Sequence, residues 1–318
     1  MKLDALAGSP ASLISGRFLL VGYVPTCAGA LYLLTLLWAG APHTPLAFHR
    51  AWHTANTLGA GEILALFLLM LVVAILLHPL QLPLVRLLEG YWPVRVSAIT
   101  AYGVRRQNRH RARVSANTAL AGGTAPTPDE VRRAGLALVA LRQTFPSEVA
   151  LTRPTRLGNA LAAAEDRAGR SYGWDAPVAW PRLYPLLGDP VRAMVDNRRD
   201  VLDATVRLSV TGLLCGLASV LLLAPTGWWV LLSAAPLVIA RLAYGTAVAA
   251  AIAYGESLRA AFDLHRFELY GALRVELPAT RDEERAVNAQ LCDFWRQGRD
   301  LGQIYVHPPA GPGPGPGP

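Results

Sequence analysis

Residues 208–250 read LSVTGLLCGLASVLLLAPTGWWVLLSAAPLVIARLAYGTAVAA. Two apolar stretches, about 208–224 and 228–250, flank Pro225-Thr226-Gly227, and Arg241 is the one charge in them. A helix needs about 20 apolar residues to cross a hydrocarbon core of about 30 Å. The first stretch is short and can gain length if Arg207 snorkels toward the interface. A short uncharged link between two such stretches predicts a membrane hairpin. Two further stretches, 18–39 and 58–77, have the same character.

The whole chain agrees. Its 318 residues are 53% apolar and 16% charged, against about 25% charged in an ordinary soluble domain. Cys27, Cys215 and Cys292 have no Cys-x-x-Cys spacing, so neither a zinc knuckle nor a thioredoxin-type site is expected. Ala39-Gly40-Ala41 has the look of a signal cleavage site. The apolar region before it is longer than the 7–15 residues of a cleaved signal, which predicts a retained first helix. Pro25 would kink that helix.

Arginine placement sets the orientation. Residues 79–207 hold 19 basic and 11 acidic residues, the loop 40–57 holds only Arg50, and the 225–227 link holds no charge. With both termini inside, 28 of the 30 basic residues lie on the inner face. Trp92, Trp228 and Trp229 fall near the interfaces, where indole rings are favoured. The expected architecture is all-α: a polytopic membrane protein with four transmembrane helices and a helical cytoplasmic domain built on their extensions. Its parts are a membrane hairpin (1–83), a basic helical segment (84–206), a second hairpin (207–252), inner helices (253–309) and a disordered Pro-Gly tail (310–318). The expected location is the bacterial inner membrane.

Within the inner part, Thr127-Pro128-Asp129-Glu130 has the form of a helix start. Leu136, Val139, Ala140 and Phe145 give that helix an apolar face at 3–4 spacing. Thr155 is placed to cap a helix through Leu157, Leu161 and Ala164. Residues 172–190, rich in Pro, Gly and Trp, read as irregular. Asp189-Pro190 starts a long helix that enters the third apolar stretch. The fourth stretch continues inward through Leu258, Phe262, His265 and Leu269, whose spacing calls for a cover from the middle segment. A last helix spans 281–295.

At RLLEGYW (86–92), PTRLGNALAAAEDR (154–167), YGWDAPVAWPRLYPLL (172–187) and AAFDLHRFELYGAL (260–273), the chain resembles uncharacterised multi-helix membrane proteins of bacteria. The resemblance covers about half the chain. It implies membrane topology and no catalytic residues.

Arg241 is the most informative single residue. It lies about 20 Å along a helix from Trp228, a depth at which charge marks an ion or ligand path unless it snorkels to the interface. Glu62 has the opposite sign but sits about 14 Å nearer the outer face. Arg105, Arg106, Arg109, Arg111 and Arg113 cluster just inside the membrane, a pattern that attracts anionic lipid. No aromatic platform accompanies them, so nucleic acid is not expected as a partner. His43, His49 and His53 share the outer loop without a His-Glu-x-x-His pattern or a loop carboxylate, so no metal is expected. Glu165, Asp166 and Asp175, near Arg153, Arg156, Arg167 and Arg170, read as ion pairs. No nucleophile motif or phosphate loop is present, and no cofactor is expected. The leading functional reading is a membrane-anchored scaffold that docks a protein partner and self-associates. An oligomeric channel or transporter comes second and a membrane-bound enzyme last.

Overall fold

The computed structural model describes residues 24–43, 45–77, 81–118, 126–300 and 302. They form helices and no strand. We number the helices α1 (Val24–Trp38), α2 (Phe48–Thr57), α3 (Ala60–Leu77), α4 (Gln81–Glu89), α5 (Ser97–Thr118), α6 (Pro128–Thr144), α7 (Arg156–Ala168), α8 (Ala176–Leu183), α9 (Asp189–Leu223), α10 (Ala234–Leu273) and α11 (Arg281–Gln297).

The axis of the molecule is the antiparallel pair α9 and α10. A 3-10 segment, Ala224–Ser233, joins them, and Gly227 turns the chain there with φ 72° and ψ −127°. Small residues let the pair approach closely. A Cβ on Gly212 would stand 3.0 Å from the Pro236 carbonyl oxygen, and one on Gly216 2.4 Å from Leu237. The Ser209 hydroxyl donates to the Ala240 carbonyl at 3.1 Å. α1 packs on α9 through the same device, with Gly29 against Cys215 and Thr211. Arg207, read as a snorkelling end, is instead 5% exposed within the protein. Its neighbours Val206 and Leu202 share a core cluster with Ala247 and Ala251.

Among the described residues, the helical run Asp189–Leu273 is long and apolar enough to cross a membrane. The pair Phe48–Thr57 and Ala60–Val73, bent by 108°, meets that measure only when taken together. α3 is apolar on every side yet poorly covered: Leu64, Phe67, Leu69 and Leu76 are exposed and Met70 is buried. α1 is described from Val24, so Pro25 stands in its first described turn. Residues 18–23 of the 18–39 stretch and the Pro-Gly tail lie outside the described residues.

The polar halves of α9 and α10 carry the main core. Leu258, Phe262, Leu269 and Tyr270 of α10 are buried against Trp174, Ala179, Leu183 and Leu187. The cover is therefore the Pro- and Trp-rich stretch read as irregular. It contains α8, with Pro181 inside the helix and Asp175 before it. Burial of its Ala176, Ala179 and Leu183 holds a helix that local propensity would not. The capping expectations match the structure. Thr127 and Glu130 form a capping box at α6, and the Thr155 hydroxyl accepts from the Gly158 amide at α7.

α6 departs from expectation. Leu136, Val139 and Ala140 are exposed, and the helix buries Ala134 instead. Phe145, just beyond its end, is 2% exposed and fills the space the face was expected to fill. α6 pairs with α5 as a hairpin and touches the rest of the molecule through α7.

Candidate functional site

α7 is the hinge of the polar half. It is lined with small residues, and Ala160, Ala162, Ala163, Ala164 and Ala168 are buried. A Cβ on Gly255 of α10 would stand 2.6 Å from Ala164, so the two backbones are nearly in contact. Asn159, 1% exposed, locks the start of α7. Its side-chain oxygen accepts from the Arg153 amide at 2.7 Å, and its nitrogen donates to the carbonyls of Arg153 and Thr155 at 3.0 and 2.9 Å.

That close packing brings the end of α7 beside four other elements. Between them lies a cleft of about 700 Å³ lined by Arg142 of α6, Arg167 of α7, Arg170, Arg259 of α10 and Arg285 of α11, with Glu256 as its acidic lining residue. Arg259 pairs with Glu256 at 3.2 Å. Arg170 pairs with Asp166 at 2.9 Å and Glu148 at 3.1 Å. Arg167 donates to the Phe145 carbonyl at 3.2 Å and Arg285 to the Ser171 carbonyl at 3.2 Å. Nη1 of Arg167 is buried without a hydrogen-bond partner. Burial lowers the pKa of Arg167 to about 10, and the neighbouring Arg259 and Arg142 guanidiniums add to the effect against Asp166 and Glu256. Among the described residues, no carboxylate lies at ion-pair distance from Arg142, Arg167 or Arg285.

The opposite side of α7 holds a mixed cleft of about 430 Å³ lined in part by Arg153, Glu165, Asp175 and Trp174. Glu89, at the end of α4, has its carboxyl pKa raised to about 7 by burial first and by the Glu165 charge second, while Arg153 and Arg86 pull it down. The Arg153 guanidinium lies over the Tyr91 ring at 4.1 Å.

The residues singled out in the sequence fall as follows. Arg241 is exposed on the outer surface of α10. Its Nη1 lies 3.9 Å from the place of a Cβ on Gly245, one turn toward the polar half. Glu62 accepts from the Gly59 amide at 2.9 Å and closes the start of α3. No ion pair joins Arg241 and Glu62 among the described residues. Arg105, Arg106, Arg109 and Arg113 are exposed on α5. Arg111 turns inward and donates to the Ser147 carbonyl at 2.8 Å, separating it from the other four. His49 and His53 stand exposed on α2, and no group of three metal-ligating side chains forms among the described residues. Asp166 takes Arg170 as expected, but Asp175 pairs with Arg296 of α11. Arg142, Arg259 and Arg285 carried no signal. They stand in three helices far apart in sequence, and only the packing of α7 on α10 unites them.

Comparison with known protein families, curated proteins and solved structures gives no match to this chain.

Proposed function

We propose that the chain is a four-helix protein of the bacterial inner membrane, with both termini and residues 84–206 on the inner face. In this reading its helical inner layer is a scaffold that docks a protein partner. The four spans are 18–39, 58–77, 208–224 and 228–250. The membrane part draws its support from α3. A helix apolar on every side belongs in a core or in lipid, and large uncovered apolar surfaces are rare on soluble monomers. The resemblance to bacterial membrane proteins points the same way, as does the arginine excess of 79–207.

The docking part rests on one observation: α6 leaves Val131, Leu136, Leu138 and Val139 uncovered. Leu136 is 67% exposed, beyond what a solvated helix interior needs. The test is a photo-crosslinking amino acid placed in the full chain in cells, at Leu136, at Val131 and at exposed Arg198. Discrete adducts from Leu136 and Val131 but not Arg198 are expected. Equal adducts from all three, or none, would remove the docking reading.

A channel or transporter formed by several copies is the second reading, favoured by Arg241 on the outer surface of α10. It requires ion flux through purified protein in liposomes, with loss of that flux on Arg241→Ala.

A further inference from the structure

We infer that the arginine cleft between α6, α7, α10 and α11 is a binding site for a phosphate-bearing ligand. This goes beyond the docking reading, because it lies in a concave site rather than on the α6 face.

The charge balance carries the argument. Arg259 and Arg170 have carboxylate partners within the cleft wall. Arg142, Arg167 and Arg285 have none at ion-pair distance among the described residues, so three cationic heads face one concavity. A solvated surface would let long side chains splay apart. Here four of the five guanidiniums come from different helices, the backbones of α7 and α10 are held by the close approach of Gly255 to Ala164, and Arg170 is held from two sides by Glu148 and Asp166. Arg167 has one guanidinium nitrogen already committed to the Phe145 carbonyl and another buried without a hydrogen-bond partner. A buried donor left unmade is costly, so Arg167 is the guanidinium of the cleft with unmet hydrogen-bonding capacity.

The chemistry of the heads selects the ligand. Planar guanidiniums bind phosphate oxygens through paired N–H donors, and Arg is favoured wherever such paired recognition matters. A monocarboxylate offers two oxygens and one charge. A phosphate group offers more oxygens and up to two charges, which better matches five guanidiniums set against the three carboxylates of Glu148, Asp166 and Glu256. At about 700 Å³ the cleft exceeds one inorganic phosphate and falls in the range of small-molecule sites. The bound group is thus a phosphorylated small molecule or the phosphate of a lipid headgroup. Both sources are open to it, since Glu256 and Arg259 stand within about three turns of Ala250, where the proposed fourth span ends.

The test uses the full chain, purified in phosphatidylcholine nanodiscs, with inorganic pyrophosphate and inorganic phosphate as calorimetric probes at physiological ionic strength. Saturable binding is expected, tighter for pyrophosphate. The double variant Arg142→Gln/Arg259→Gln should weaken pyrophosphate binding by about tenfold or more, while Arg132→Gln, on exposed α6 outside the cleft, should not. If the double variant fails to fold, Arg142→Gln alone serves, because Arg142 is exposed and holds no partner among the described residues. Its loss should still weaken binding severalfold. A second arm adds cardiolipin to the nanodiscs. Loss of pyrophosphate binding there identifies a lipid headgroup as the occupant, and unchanged binding identifies a soluble phosphate compound. Absence of saturable pyrophosphate binding in phosphatidylcholine nanodiscs, or equal binding by wild type and the Arg142 variants, overturns the inference. Neither result would bear on crosslinking from α6.

Discussion

Glu89 sits where α4 ends against α7, and its environment makes it pH-sensitive. Burial raises its pKa from 4.5 to about 7, so the folded state favours the neutral carboxyl. The stability this protonation contributes is therefore present in acid and is lost as pH rises from about 4.5 through about 7. Glu89→Gln keeps the neutral form at all pH values. Its melting temperature should match wild type near pH 5 and exceed it near pH 8, as read by thermal unfolding in detergent. A wild-type melting temperature that does not fall relative to the variant over that window would refute the assignment. Nothing local in RLLEGYW announces this shift. It arises first from burial of the carboxyl in the folded chain and second from the charge of Glu165, 76 positions later. Asn159 makes the same point. It reads in sequence as an unremarked helix residue, yet it joins three backbone groups across the α7 start. By contrast Thr127 and Thr155 were legible, because a cap bonds only its own next turn.

Helix starts and helix lengths follow from spacing and turn chemistry, so α6, α7, α9, α10 and α11 lie close to where the sequence puts them. The faces those helices use do not follow so simply. The α6 stripe at Leu136 and Val139 has the right period, but Phe145 takes the neighbouring interior place. The 172–190 stretch has poor helical propensity, and tertiary burial decides it instead. Contact between elements depends here on absent side chains. Gly158 meets α4 so closely that a Cβ would stand 2.0 Å from the Glu89 carbonyl oxygen. That neighbour is backbone and cannot rotate away, so Gly158→Ala must push α4 from α7. A cost of roughly 1–3 kcal/mol is expected from such overpacking. Faster proteolysis around residues 89–95 with the far end of α10 unchanged would accompany it. Gly135→Ala, where a Cβ would meet open space, should be neutral or slightly stabilising.

At the scale of the molecule, the paired α9 and α10 bind an apolar half and a polar half into one body. The proposed topology makes a direct prediction. In a chain with Cys27, Cys215 and Cys292 replaced by Ser, a cysteine at His53 should react with an impermeant maleimide on intact inside-in cells. A cysteine at Arg106 should react only after permeabilisation. Labelling of Arg106→Cys without permeabilisation would reverse the orientation. The α9–α10 hairpin was legible because two apolar runs joined by a short uncharged link need no distant partner to be recognised. The arginine cleft was not, because its charges converge only after α7 meets α10.

The packing of α7 and α8 on α10 also sets an order of events during synthesis. The chain emerges from its amino end, so Trp174, Leu183 and Leu187 appear before Phe262 and Tyr270, which cover them. At about 5–20 residues per second, this leaves the apolar side of the middle segment bare for several seconds. In that interval it lacks the α10 residues that complete its core. The polar half therefore matures only once the second hairpin has been made, and a chain cut short before residue 234 would be a client for chaperones and proteases.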